Sequence, residues 1–95
     1  MVTISNKYKH GDIVVYDING IDFVFVKVLI KYKISHTTRK VQYNRTYRAA
    51  CEFMKDKKLD DNIVIFLMQD HGIGWSTVSK IRYPTKAELI LYGTK

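Results

Sequence analysis

The sequence predicts one α+β domain, residues 1–95, in which about five strands form a strongly bent antiparallel sheet or small barrel with two helices, in the order β-β-β-α-β-β-α. Ninety-five residues suffice for a single hydrophobic core. Runs rich in β-branched and aromatic residues surround Asn19-Gly20, and helical spacing of apolar residues follows Asn44. Several predicted strands are apolar on both faces, which one flat sheet and one helix could not cover.

The first two strands are predicted as a hairpin, with Asp12 to Ile18 pairing with Ile21 to Ile34. Asn19-Gly20 readily takes positive φ at both central positions of a type I′ turn. Beyond Val26, lysines alternate with apolar residues, which indicates a solvated basic face and a core face. Residues 36–43, HTTRKVQY, are predicted as a shorter third strand, which would place Arg39 or Lys40 beside that lysine row.

A helix is predicted over residues 45–58. Tyr47, Ala50, Cys51 and Met54 lie at i, i+3, i+4 and i+7, the spacing of one helical face. Asn44 or Thr46 could cap its N-terminus. These residue types and spacings favour a helix packed by one apolar stripe on the sheet.

The C-terminal part is predicted to contain two strands and a second helix. Ile63 to Gln69 is apolar on both faces and should be central in the sheet, and residues 75–83 alternate as a strand that ends before Pro84. Thr85 and Glu88 match a capping box, which starts a short C-terminal helix.

The net charge of +7 equals the charge of one segment, since no carboxylate lies between Asp22 and Glu52. Lysines, arginines and tyrosines together can neutralise phosphates and stack bases. The sequence therefore predicts a nucleic-acid-binding module for RNA or single-stranded nucleic acid. The predicted contact residues are Lys27, Lys31, Lys33, Arg39, Lys40, Tyr43, Arg45 and Arg48.

Two plainer interpretations of the same segment stay open. A run of charges is commonly a solvated surface, and tyrosines at strand or helix spacing commonly belong to the core. Tyr32 and Tyr47 both lie on predicted core stripes.

A second functional hypothesis is binding to another protein. Phe53 lies at the edge of the predicted helix stripe, and Trp75 opens a strand beside a glycine-containing turn. Exposed aromatic residues beside positive charge are typical anchors of protein interfaces. The abundance of Lys, Ile, Tyr and Asn resembles the bias of an AT-rich genome, as in many bacteria of low GC content and many large virulent phages. Small phage proteins often block a host enzyme, so a phage-type inhibitor or adaptor of a host protein is the alternative.

No pattern in the sequence indicates catalysis, a metal site or a cofactor. His10, His36 and His71 lie far apart without ligand spacing, and the single cysteine, Cys51, excludes an internal disulfide and a zinc cage built from cysteines. We therefore expect a protein that is not an enzyme and binds no cofactor.

The expected location is the cytoplasm, or the host cytoplasm if the protein is viral. The N-terminal residues contain no apolar segment typical of a signal peptide. The longest apolar run, residues 63–68, is far shorter than the roughly 20 residues that span a bilayer.

Residues 8–29, YKHGDIVVYDINGIDFVFVKVL, resemble the first hairpin of SH3-like small β-barrel domains, in which a Gly-Asp pair precedes an apolar strand. This resemblance implies a small barrel fold. The same opening is similar to that of the MazF-type endoribonuclease toxins, in which an Arg-Pro pair follows the hairpin and the arginine takes part in RNA cleavage. Here the corresponding region reads VFVKVLIKYK, so the family's activity is not expected.

Overall fold

The computed structural model describes residues 2–58, 61–69 and 72–93, and it shows an α+β domain whose curled mixed sheet forms a half-barrel with two helices. The predicted fold class is confirmed. Over the described residues the strands are β1 (Thr3–Ile4), β2 (Ile13–Asp17), β3 (Phe23–Val28), β4 (Asn62–Met68), β5 (Gly72–Thr77) and β6 (Ile81–Arg82), and the helices are α1 (Thr37–Asp56) and α2 (Lys86–Gly93). The sheet order is β1-β4-β3-β2-β6, and β5 also pairs with β4.

Strand β1 was not predicted, and its parallel pairing with β4 makes the sheet mixed. Within the described ranges, neither helix combines the length and the apolar character needed to cross a membrane.

The hairpin of β2 and β3 is confirmed, but its predicted type I′ turn is wrong. Asp17 pairs with Phe23, so residues 18–22 link the strands. Gly20 has a φ of +84°, whereas Asn19 is not in the positive-φ region. The side-chain oxygen of Asn19 instead accepts hydrogen bonds from the backbone N–H groups of the two residues after Gly20, at 3.0 and 2.9 Å. This Asx-type loop shifts the strand register by one residue from the predicted one.

The predicted third strand over residues 36–43 is wrong, because residues 37–43 form the start of α1. Tyr43 lies four residues before Tyr47 and extends the apolar helix stripe, while Arg39, Lys40 and Gln42 are good helix formers. The proposed caps at residues 44 and 46 are wrong for the same reason. The N-cap residue is His36, whose side chain makes no capping hydrogen bond.

Strand β3 is also shorter than predicted. It ends at Val28, and Lys31–Lys33 form a 3-10 turn rather than the distal half of a strand. The backbone N–H of Leu29 donates to the carbonyl of Ile65 at 2.9 Å, so the chain stays attached to β4 beyond the end of β3.

Strand β4 is buried on both faces, as predicted, and it separates two hydrophobic clusters. On the inner face of the half-barrel, Val64 and Phe66 pack in the cluster Tyr8, Val14, Val26, Val28, Val64, Phe66 and Ile81. On the other face, Ile63 and Ile65 pack with α1 in the cluster Leu29, Ile34, Tyr43, Ala50, Ile63 and Ile65. Because β4 contributes to both clusters, the second cluster fixes α1 against the same strand that fills the half-barrel.

The predicted strand over residues 75–83 is broken into two strands. A 3-10 turn at Val78–Lys80 separates β5, which pairs with β4, from β6, which pairs with β2. Gly74 in β5 lies against the side chains of Phe66 and Met68 in β4. A Cβ atom added to Gly74 would lie 3.0 Å from Met68 Cε and 3.1 Å from Phe66 Cε1. The turn lets the short β6 close one side of the half-barrel.

The predicted capping box of α2 is present. The backbone N–H of Thr85 donates to Glu88 Oε1 at 2.9 Å, and the N–H of Glu88 donates to Thr85 Oγ1 at 3.2 Å. Arg82 also donates to both carboxylate oxygens of Glu88, at 2.7 and 2.8 Å. These bonds with Arg82 and Thr85 lower the pKa of Glu88 to about 2.

We expect the attachment of α2 to weaken in acid. The pKa of Glu88 is about 2 in the folded chain, below its ordinary value of 4.5, so the stabilisation is complete above pH 4.5 and is lost as the pH falls through 2. Thermal unfolding followed by circular dichroism between pH 6 and pH 2 measures this change. The loss of thermal stability that comes from protonation of Glu88 should be absent in Glu88→Gln. Glu52 is an exposed carboxylate on α1, so Glu52→Gln should lose stability in acid as the wild type does. Parallel acid profiles for the wild type and Glu88→Gln would contradict the assignment.

Candidate functional site

The predicted basic residues are all exposed, but they do not form one continuous surface. Lys27 lines a cavity of about 240 Å³ beside Tyr92 of α2. Arg45 and Arg48 lie three residues apart on the side of α1 that is opposite the buried Ala50 and Met54. The structure therefore separates Lys27, Arg45 and Arg48 from the rest of the predicted site.

Lys31 and Lys33 line a second cavity, of about 420 Å³, at the end of the half-barrel. Tyr43 contributes to the wall of this cavity. Arg39 and Lys40 lie four and three residues before Tyr43, so they are its neighbours on the surface of α1. Lys31 and Lys33 thus line the cavity, and Arg39 and Lys40 lie about one helical turn before its lining residue Tyr43.

The cavity exists because two chain segments leave the same edge of β4 in different directions. β1 pairs with the start of β4, and β3 pairs with its end. Between these pairings, Ser5 N–H donates to the carbonyl of Ile63 at 2.8 Å, and Leu29 N–H donates to that of Ile65 at 2.9 Å. The residues just after Ile4 and Leu29 leave this edge, and both segments line the cavity.

Lys9 and His10 were not among the predicted site residues, yet they line the cavity with Lys31 and Lys33. Lys9 and His10 lie in a turn just before β2, which is closed by a hydrogen bond of 3.0 Å from Asp12 N–H to the Lys9 carbonyl. A hydrogen bond of 2.8 Å from Ile30 N–H to His10 Nδ1 ties this turn to the residues after β3. The Gly-Asp pair marks the turn in the sequence, but no sequence signal places it beside Lys31 and Lys33.

The loop that carries Lys9 and His10 is held by hydrogen bonds to a single carboxylate. Asp12 Oδ2 accepts from the backbone N–H of Lys9 at 2.9 Å and from the hydroxyl of Tyr83 at 3.0 Å, and the second bond raises the pKa of Tyr83. Gly11 takes a φ of +88°, which favours glycine, and its N–H donates to the carbonyl of Val28 at 2.8 Å. The loop therefore has a defined position relative to the end of β3.

Two tyrosines near the cavity differ in exposure from the prediction: Tyr43 is buried and Tyr32 is exposed. The expectation that Tyr43 offers a ring face to a base is wrong, because Tyr43 is only 1% exposed and packs in the core. Burial raises its pKa, and a backbone hydrogen bond with Lys31 partly opposes this effect. Tyr32, placed on a core stripe by its alternation, is 81% exposed. Lys33 Nζ lies 5.8 Å from the centroid of the Tyr32 ring.

The two residues of the alternative protein-binding site lie together. The rings of Phe53 on α1 and Trp75 on β5 meet edge to face, with centroids 5.5 Å apart. Lys57 Nζ lies 4.9 Å from the centroid of the Phe53 ring, and Phe53 is 48% exposed. A cation and a half-exposed aromatic ring therefore share one surface of the molecule.

The described histidines and the cysteine lie on different parts of the fold. His10 lies in the cavity wall, His36 precedes α1, and His71 lies outside the described residues. Cys51 is partly buried on α1, where a hydrogen bond with its thiol raises the pKa of Tyr47. Across residues 2–58, 61–69 and 72–93, no group of three or more His, Cys, Asp or Glu side chains is placed to hold a metal ion.

Comparison of the chain with protein-family models, curated proteins and solved structures finds no match. The resemblance of residues 8–29 to SH3-like barrels stays a prediction.

Proposed function

We propose that this chain is a non-catalytic module that binds RNA or another single-stranded nucleic acid around the 420 Å³ cavity. The observation that carries the proposal is the exposed ring of Tyr32, which lies between Lys31 and Lys33 at the cavity. A ring of this kind can stack on a base while its neighbours bind the adjoining phosphates. The proposal includes no cofactor, and it places the protein in the cytoplasm, or in the host cytoplasm if the protein is viral.

The shape of the basic region supports a single strand rather than a duplex. Lys9, Lys31 and Lys33 surround a concavity instead of lying along a helix that projects into a groove. Bases of a single strand are free to leave their own stack and to contact an aromatic side chain, whereas those of a duplex are not. Arg39 and Lys40, at the start of α1, extend the cationic region for further phosphates.

A different candidate function is supported by the contact between Phe53 and Trp75. Phe53, Trp75 and Lys57, whose Nζ lies over the Phe53 ring, form a compact surface. These residues belong to α1, β5 and the residue after α1, not to the 3-10 turn that carries Lys31 and Lys33. Such a surface suits an anchor in an interface with an acidic host protein. In this alternative the chain is a phage-type inhibitor or adaptor.

The first prediction concerns salt and charge. Affinity for a fluorescent single-stranded oligonucleotide should fall linearly with salt on a log–log plot, with a slope of about −3 for four phosphate contacts. Lys31→Glu/Lys33→Glu should weaken binding and make the slope shallower by at least about 1, because two phosphate contacts are lost. Fluorescence anisotropy at several salt concentrations measures both quantities.

The control for generic attraction is Lys80→Glu/Lys86→Glu, which changes the net charge equally at exposed positions outside the cavity lining. This control should leave the slope unchanged. Equal losses in both double variants would show that net charge alone drives binding, and the proposed site would then be rejected.

The second prediction concerns stacking. Tyr32→Ala should weaken oligonucleotide binding by about 1 to 3 kcal/mol at every salt concentration, because a base loses its aromatic partner. Tyr32→Phe retains the ring and should bind as the wild type does. Tyr92→Ala removes a partly exposed tyrosine from α2 and serves as the control. Weakening of Tyr32→Phe to the level of Tyr32→Ala would exclude stacking as the contribution of this residue.

The third prediction separates nucleic acid from protein as the partner. Affinity purification from cells, with and without nuclease treatment, should give a partner that is lost after nuclease and in Tyr32→Ala, but retained in Phe53→Ala. A partner that resists nuclease, is lost in Phe53→Ala and is retained in Tyr32→Ala would favour the protein-binding alternative. Circular dichroism of both variants verifies that each remains folded.

A further inference from the structure

The 420 Å³ cavity has the size and the lining of a site for a small anionic ligand with a flat apolar part. Its volume falls within the range of about 300 to 1,000 Å³ that is typical of small-molecule sites. Ile4, Ile30 and Tyr8 supply apolar surface, while Lys9, Lys31 and Lys33 supply positive charge. None of the described residues that line it is an aspartate or a glutamate.

His10 adds a directed hydrogen-bond donor to this lining. Its Nδ1 accepts the backbone N–H of Ile30 at 2.8 Å, so in the neutral imidazole the proton resides on Nε2. Nε2–H is therefore the group of His10 that can donate to an oxygen of a bound ligand. Cations and an N–H donor around one concavity suit a phosphate group.

Besides the bond between Ile30 and His10, further hydrogen bonds tie the walls of the cavity to the rest of the fold. Tyr8 donates its hydroxyl to the carbonyl of Ile81 at 2.9 Å, and its ring lies 5.1 Å from that of Tyr83. Tyr83 in turn donates to Asp12, which holds the Lys9 backbone. A ligand would thus enter a preorganised site, which lowers the entropic cost of binding.

We propose that this cavity binds one nucleotide, with the base against the apolar wall and the phosphate between the lysines and His10. This inference deepens the proposed function and rests on it, since the same nucleotide could be the end of a single strand or a base turned out of it. In that arrangement Tyr32, which is exposed, stacks on the next base outside the cavity. A free nucleoside monophosphate has the same chemistry and is the smallest ligand that fills the site.

The test compares three small ligands with an oligonucleotide. Adenosine 5′-monophosphate, adenosine and inorganic phosphate are titrated into the full chain by calorimetry or by NMR. A single-stranded oligonucleotide is titrated by anisotropy, alone and in the presence of the monophosphate. We expect the monophosphate to bind at least tenfold more tightly than adenosine or phosphate, and to compete with the oligonucleotide.

Filling the cavity supplies the variant. Asn6 is an exposed residue of the cavity lining, so Asn6→Trp places a large side chain there, and Asn44→Trp makes the same change on the exposed surface of α1. We expect Asn6→Trp to weaken monophosphate binding at least tenfold and Asn44→Trp to leave it unchanged. If Asn6→Trp does not fold, Lys9→Glu with Lys80→Glu as its control replaces the pair, with the same expected tenfold difference.

The outcomes separate this inference from the proposed function. If the oligonucleotide binds but the monophosphate does not, or if phosphate alone binds equally well, the nucleotide cavity is overturned while the nucleic-acid module stands. If the monophosphate binds in a manner that Asn6→Trp abolishes and no oligonucleotide binds, the cavity is supported and the module is rejected. If neither ligand binds, both are rejected.

Discussion

The burial of β4 on both faces is the constraint on which the rest of the structure depends. Ile63 and Ile65 pack against α1, while Val64 and Phe66 fill the half-barrel, so one strand is the common wall of both hydrophobic clusters. One edge of β4 accepts β1 at its start and β3 at its end. The segments that leave this edge enclose the basic cavity, whose position therefore follows from the packing of a strand that contributes no residue to it.

The parts of the fold that could be predicted are those specified by local sequence. The apolar run of β4, the hairpin around Gly20 and the capping box of Thr85 and Glu88 each carry their own signal, and the structure confirms all three. The hairpin register could not be predicted, because the sequence Asn-Gly is compatible with both an Asx-type loop and a type I′ turn. The two turns give pairings of β2 with β3 that differ by one residue. The start of α1 was missed because residues 36–43 alternate like a strand, although Tyr43 also continues the helical stripe.

The candidate site was predicted only in part, for the same reason. Lys31 and Lys33 line the cavity and Arg39 and Lys40 lie about one helical turn from its Tyr43, but Lys27, Arg45 and Arg48 belong to other surfaces. Lys9 and His10 lie more than 20 residues before the centre of the predicted segment, and the folded chain brings them to the cavity, where Ile30 N–H donates to His10 Nδ1. The charge of a segment can be read from its sequence, whereas the direction of each charge depends on whether the backbone there is a strand, a 3-10 turn or a helix.

The first turn of α1 is electrostatically frustrated. It contains no acidic residue, and its N-cap His36 contributes no side-chain hydrogen bond, although the positive end of a helix dipole favours negative charge. Arg39 and Lys40 add positive charge where the dipole is already positive. Any anion that settles beside this turn relieves the repulsion, so the order of the helix start and the occupancy of the surface are thermodynamically linked. The helix start should therefore be least stable in a solution poor in anions, and an anion bound beside it would stabilise it.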